Sequence, residues 1–191
     1  MGGTGVVQVP LPLQLRALVS VPVGPQLAAA IQAVNDHNLC GIASHQARFN
    51  ILNRRAETDV MSVAQHLGVG NLTYSPLAEG LLTGKYRVEE AFPANSRFAV
   101  ASPVNNYRAR LTPRVSETLT LLNRAAAEHS LSLWELASAW VLASPAVSCA
   151  LVGPSTSTQV RQLNEVADLI LGSGLMGLVE KINPVGASVV D

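Results

Sequence analysis

Three stretches of this chain carry side chains that could do chemistry. The first is Ser44-His45-Gln46, followed by Arg48-Phe49-Asn50 and Arg54-Arg55-Ala56-Glu57. The second is the run Tyr74-Ser75-Pro76-Leu77-Ala78-Glu79-Gly80-Leu81-Leu82-Thr83-Gly84-Lys85-Tyr86, with Ser96-Arg97 beyond it. The third is Leu151-Val152-Gly153-Pro154-Ser155-Thr156, running into Gln159. Glycines at 80 and 84 allow close backbone approach, Lys85 and Arg97 supply cations for phosphates, and a helix opening at Ser155-Thr156 favours an anion at its N-terminus. These types suit a phosphate-bearing ligand. Each also has a plain structural explanation: Gln46 as a solvated loop amide, Tyr74 as a core tyrosine, and residues 153–156 as an ordinary capped strand-to-helix turn.

Other chemistries find no support. Cys40 and Cys149 lie in apolar segments without a second Cys or His at metal-ligand spacing, so they are expected to be buried free thiols in a reducing compartment, and no metal site is predicted. A nucleophilic serine would need a Gly-x-Ser-x-Gly elbow, and none occurs. His37, His66 and His129 fall at helix ends or surfaces, where structural or solvated roles are expected.

The elements that must position the three stretches alternate. Leu15 to Ser20 reads as a short buried strand ahead of the Pro22-Val23-Gly24-Pro25 break, and Leu27, Ala30, Ile31 and Val34 then recur at helical spacing. Residues 41–45 form a second strand, followed by a loop and a helix through Val60, Val63, Ala64 and Leu67. Residues 70–74 form a third strand, which Pro76 stops. The connection from Ser75 to Leu111 is rich in Pro, Asn, Gly and Ser, and at that length it reads as an active-site loop. Thr112-Pro113 and the capping box Ser132-Leu133-Trp134-Glu135 open two helices, Val147 to Val152 is a fourth strand, and Thr156 to Gln159 caps a further helix. Residues 1–14 are predicted to be an irregular start, and residues 172–191, where the periodic pattern fades, an irregular tail.

Four strand–helix alternations imply a parallel sheet covered by helices. A closed eight-stranded barrel usually needs ~250 residues, and this chain of 191 shows only four strands. The predicted fold is therefore α/β, a single half-barrel domain (a partial TIM barrel) of about four β/α units. Charged residues make up 14% against roughly 25% in average soluble domains, so part of the surface must be apolar or covered. A homo-oligomer, a dimer in the simplest case, is expected. Zero net charge with scattered Lys and Arg argues against nucleic acid, and no run approaches the ~20 apolar residues of a membrane span. The start lacks a basic signal-peptide region, and a cytoplasmic location is predicted.

The run from Tyr74 to Tyr86, with Gln46, Ser96-Arg97 and the Val152-to-Gln159 segment in the same order and spacing, resembles the aldo-keto reductase family. The likeness is strongest to its branch containing the potassium-channel β-subunits and the aflatoxin-aldehyde reductases. It covers roughly Leu18 to Leu171, the second half of that family's barrel. The resemblance implies NADP(H), with NADPH preferred, bound across the barrel mouth. Gln46 would hold the nicotinamide carboxamide and Tyr74 would stack on its ring. Ser75 and Leu77 would contact the pyrophosphate, with Gly80, Lys85 and Arg97 around it, and Gly153, Ser155, Thr156 and Gln159 would receive the adenosine end.

Departures from the family weaken these expectations. Where the family has Ser-Asn, this chain has Ser20-Val21, which removes one carboxamide contact, and the family's Glu-Asn pair near the adenine falls on Gln162-Leu163. Binding is therefore expected to be weak. The family's Asp, Tyr, Lys and His tetrad belongs to the first half of the barrel and has no counterpart here, so no catalytic residue is assigned. Carbonyl reduction needs a proton donor beside the hydride acceptor, and none of Tyr74, Tyr86 or Tyr107 suits. His45 neighbours Gln46 but points to the opposite face of a strand. Three classes stay open: an oxidoreductase relative with little activity alone, acting on a small aldehyde or ketone; a non-enzymatic dinucleotide-binding or regulatory module; and a recruited hydrolase.

Overall fold

A computed structural model describes residues 17–20, 23–86, 92–94, 96, 98–99 and 107–190. Four strands, β1 (Ala17–Val19), β2 (Ile42–Arg48), β3 (Gly70–Tyr74) and β4 (Cys149–Leu151), form one parallel sheet in the order β1-β2-β3-β4. Parallel neighbours require crossovers, and helices supply them. α1 (Gly24–Asp36) joins β1 to β2, α2 (Val60–His66) joins β2 to β3, and α3 (Pro113–Glu128) with α4 (Leu133–Leu142) lies between β3 and β4. α5 (Ser157–Ala167) and α6 (Ser173–Ile182) follow β4. This is the α/β half-barrel arrangement expected from the alternation. β2 runs further than its apolar pattern suggests, because its backbone keeps pairing with β3 until Arg48 stands opposite Tyr74.

Burial alternates along the strands and separates two faces. His45, Ala47, Asn71 and Thr73 lie beneath the helices, where Asn71 Nδ2 donates to the carbonyls of Met61 (3.1 Å) and Ala146 (3.0 Å). On the other face stand Ser44, Gln46 and Arg48 of β2, Leu72 and Tyr74 of β3, and Cys149 and Leu151 of β4, all partly or fully exposed. Cys149 thus sits on the sheet face that no described helix covers, and Cys40 in the loop before β2. Both thiols are exposed, not buried as their apolar neighbours suggest.

Two of the three capping signals act as expected. Thr112 accepts the N–H of Val115 with Pro113 in the first turn, and Ser132 and Glu135 form a reciprocal capping box. α1 begins tight against α2: a Cβ on Gly24 would stand 2.6 Å from Val63 Cγ2, and its N–H donates to Asp59 Oδ1 at 2.7 Å.

The tail departs from the irregular segment predicted after Gly172. α6 packs on α3 with Leu175 and Val179 buried, and Val190 is buried beyond it. Gly174 and Gly177 lower the helix propensity of this segment, so its sequence alone reads as irregular. What orders it is the loop after β2. Arg54, 3% exposed, donates to Glu57 (2.8 Å), to Glu180 (2.7 Å) and to the Asn183 carbonyl (2.7 Å), with its guanidinium 5.0 Å over the Trp140 ring. Asn183 Nδ2 donates to the Ile51 carbonyl at 2.5 Å, and the Val189 N–H donates to that of Leu52 at 2.9 Å. The predicted irregular start over 1–14, Val21 and Arg97 lie outside the described residues. Among the described residues, no helix is long and apolar enough to cross a membrane.

Candidate functional site

The C-terminal ends of β2, β3 and β4 meet at one side of the sheet, the position where barrels of this type carry their sites. Tyr74 ends β3 with 40% of its surface exposed, which rules out the core-tyrosine alternative. Arg48 is directly opposite it in the ladder, and Gln46, two residues earlier on the same face, is half-buried opposite Leu72. Gln46, Arg48, Arg55, Ser20 and Tyr74 line a recess of about 460 Å³. His45 is fully buried beneath the helices, as strand alternation requires.

Immediately after Tyr74 the backbone is forced through an unusual path. Ser75, Ala78 and Glu79 have φ of 58°, 47° and 61°, and Gly80 and Gly84 have 109° and 78°. Three non-glycine residues in the left-handed region within five positions store strain on the order of 1–3 kcal/mol each, and such strain clusters at functional sites. Hydrogen bonds hold it. The buried Asn50 donates from Nδ2 to the Ser75 carbonyl at 2.9 Å while its Oδ1 accepts from the N–H groups of Leu52 and Asn53, both at 3.0 Å. The Ala78 N–H returns to the Ser75 carbonyl (2.9 Å) and the Gly80 N–H to that of Leu77 (2.8 Å). Gly80 is required first by its own φ, and a Cβ there would also stand 3.2 Å from the Tyr86 ring. Close approach of a ligand is secondary.

A second groove, of about 520 Å³, opens on the far side of this turn. Ser75, Leu77, Gly80 and Lys85 line it from the loop, and Gly153, Ser155 and Gln159 from the segment after β4, with Trp134, Gln162 and Leu163 completing it. Lys85 is exposed, with Nζ 5.1 Å from the centroid of the Tyr86 ring. The start of α5 differs from expectation. Thr156 Oγ1 accepts the Gln159 N–H at 3.2 Å, but the Gln159 side chain turns back to accept the Ser155 N–H at 2.6 Å. Ser155 therefore offers its hydroxyl and not a free N–H, while Ser157 and Thr158 in the first turn of α5 have no intrahelical acceptor and keep N–H groups for an anion.

Tyr74 lines the recess and the next residue, Ser75, lines the groove, so the two hollows lie on either side of the end of β3. The sequence-predicted residues Gln46 and Tyr74 lie on one side, and Ser75, Leu77, Gly80, Lys85, Gly153, Ser155 and Gln159 on the other. Between the two hollows lies an ion-pair network not assigned from sequence: Glu79 receives the guanidinium of Arg48 at 3.3 Å and that of Arg110 on its other oxygen. Glu79 and Arg48 both sit inside the two motif stretches, but nothing in their spacing shows that they meet. The pairing depends on the register of β2 against β3 and on a residue 31 positions away. Asn50 was likewise visible as a residue and not as the tie on Ser75.

Chemically, the arrangement offers an exposed aromatic ring and an amide at one end, cations and a strained turn in the middle, and a helix start at the other. That suits an elongated anionic ligand. Among the described residues, the Tyr86 hydroxyl is buried without a hydrogen-bond partner, and its ring packs against Phe98 (4.0 Å between centroids) and Phe92 (5.7 Å).

Comparison with known proteins gives concordant matches. The sequence pattern of the aldo/keto reductase family matches residues 23–184. Over 146 residues the chain is 32% identical to a probable voltage-gated potassium channel subunit beta of Arabidopsis thaliana, covering 76% of this chain and 44% of that protein. It is 29% identical over 161 residues to the uncharacterized oxidoreductase YrpG of Bacillus subtilis, covering 84% and 46%. It is 34% identical over 124 residues to L-glyceraldehyde 3-phosphate reductase of Escherichia coli, covering 62% and 34%. The chain spans less than half the length of these relatives.

Proposed function

The chain belongs to the aldo/keto reductase family, and from that premise we propose that it binds NADP(H) along the recess and groove, with little reductase activity of its own. The observation that carries the reading is the placement of the two hollows side by side at the end of β3, one lined by Tyr74 and the other by Ser75. Each has a volume in the range of ordinary small-molecule sites, and an elongated ligand lying across the end of β3 would use both. The donor set fits such a ligand. Gln46 presents an amide for a carboxamide, the Tyr74 ring is open for stacking, and Lys85 with the start of α5 suits phosphate. When bound, the dinucleotide supplies a hydride; the residues of this chain orient its ring and hold its phosphates. The Glu79 carboxylate, lying among them, opposes tight binding.

The described residues favour a binding module over an efficient enzyme. With Tyr74 stacked on the nicotinamide and the Tyr86 hydroxyl enclosed, neither of these tyrosines, among the described residues, is placed to donate a proton to a carbonyl acceptor. General acid–base catalysis typically contributes about 10²–10⁴ in rate, and that factor is missing. Any substrate is a small aldehyde or ketone. A homodimer is the simplest way to hide the open sheet face: β1 and β4 are the two edges, and a two-fold axis would set each β4 against the partner's β1 to close eight parallel strands. Two unpaired cysteines are in keeping with a reducing cytoplasm.

Nicotinamide fluorescence titration at moderate salt tests the proposal. Binding of NADPH in preference to NADH is expected, and absence of binding at millimolar NADPH would refute it. Equal affinity for NADH would remove only the phosphate assignment. Turnover of reactive aldehydes near 10 s⁻¹, on the order of the enzyme median, would refute the claim of weak catalysis.

A further inference from the structure

Glu79 lines the groove and reaches Arg48 of the recess, and its carboxylate is gripped by two guanidinium groups from distant parts of the chain. Arg48, at the end of β2, donates from Nη2 to Oε1 at 3.3 Å, and Arg110, in the short turn Tyr107–Arg110, donates from Nη1 to Oε2. Two cations converge on one anion, and none of the three side chains is sealed off: the arginines are each 30% exposed and Glu79 20%. Arg48 is the less satisfied partner. Its contact is long beside the 2.7–2.9 Å usual for a charge-assisted bond, and its Nε is buried without a hydrogen-bond partner. Glu79 itself is held at φ 61°, a conformation unfavourable to a residue with a Cβ.

A pair of arginines closing on one carboxylate is also the geometry that recognises phosphate. We infer that Arg48 and Arg110 form a binding site for a phosphate-type oxyanion, and that Glu79 occupies this site as an internal competitor that leaves when the ligand arrives. A diphosphate brings more charge and more acceptor oxygens than the single carboxylate it displaces. The inference stands on the ion-pair geometry and does not need the cofactor reading. It puts the bridging phosphates of a dinucleotide, or the phosphate of a substrate, at the same place.

Glu79→Gln removes the competing charge with little change of shape. Titrating inorganic diphosphate at low salt, by calorimetry or through the fluorescence of Trp134 in the groove, should show binding at least about tenfold tighter than wild type, the equivalent of one charged hydrogen bond. The gain should vanish in Glu79→Gln combined with Arg48→Gln or with Arg110→Gln. Equal or weaker binding by a folded Glu79→Gln protein, or a gain that survives loss of either arginine, would overturn the inference. Should circular dichroism show Glu79→Gln to be unfolded, Arg48→Gln decides alone: weakened diphosphate binding supports the site and unchanged binding overturns it. NADPH and glycerol phosphate titrated in parallel separate the sources. A gain shared by diphosphate and NADPH supports a dinucleotide ligand. A gain shared only by diphosphate and glycerol phosphate supports the oxyanion site while refuting the cofactor reading.

Discussion

Replacing Arg54 by methionine tests whether one buried guanidinium holds the C-terminal segment to the loop after β2. That loop carries Asn53 and Arg55 into the recess, so the same contact also shapes the site. In the wild type Arg54 makes two charged pairs and a bond to the Asn183 carbonyl, and covers Trp140. Hydrogen bonds to charged groups contribute about 1.5–3 kcal/mol each. The full sum is not realised, because Glu57 and Glu180 are 23% and 48% exposed and regain water once Arg54 is gone. Methionine also escapes the cost of burying a charge and keeps apolar contact with the indole. The expected loss is about 2–3 kcal/mol, at or below the lower end for breaking a buried pair, or about 4–12 °C in Tm for a chain of this size.

The pH dependence of the same variant is a second readout. Burial pushes the Glu180 carboxyl up, but the hydrogen bonds from Arg54 and the Val185 N–H, with the Arg54 charge, outweigh it and hold the group below its ordinary range. A depressed folded-state pKa gives stability that is present above the unfolded value of about 4.3 and disappears as pH falls through the folded value. Wild type should therefore lose more stability than Arg54→Met on acidification from about pH 6 to about pH 3. Urea unfolding followed by circular dichroism at both pH values measures each effect. A variant within about 0.5 kcal/mol of wild type at neutral pH, or an acid loss identical to wild type, would refute the reasoning.

Further outcomes follow from the site and the sheet. Tyr74→Ala should weaken NADPH about three- to tenfold, the loss expected for one stacked ring, without lowering Tm, because the ring is exposed; fluorescence titration and a thermal melt check both halves. Gly80→Ala should cost about 1–3 kcal/mol in urea unfolding, since φ of 109° excludes a Cβ that would also meet the Tyr86 ring; a neutral result would show that the turn is not rigid. Sedimentation at micromolar concentration should report a species larger than the 20.1 kDa chain, and a compact monomer would refute closure of the sheet face by a second copy.

The order of elements was legible in the sequence because its signals are local. Apolar runs bounded by Gly and Pro marked the strands, Thr112-Pro113 and Ser132 to Glu135 marked helix starts, and the Tyr74-to-Tyr86 run marked the loop that turns through the site. The opposite orientations of His45 and Gln46 followed from strand alternation alone. Tertiary structure decided what depends on contacts between distant residues. α6 forms because Arg54 and the carbonyls of Ile51 and Leu52 supply partners that its Gly-containing sequence lacks. Cys149 is exposed because it faces the side of the sheet that no described helix covers, which its apolar neighbours do not reveal. The Ser155 N–H is spent on the side chain of Gln159. Above all, Arg48 and Arg110 close on Glu79 only because β2 pairs with β3 in one register and the long connection returns to the same point. Periodicity reports which face a residue takes; it carries no information about which distant charge will meet it there.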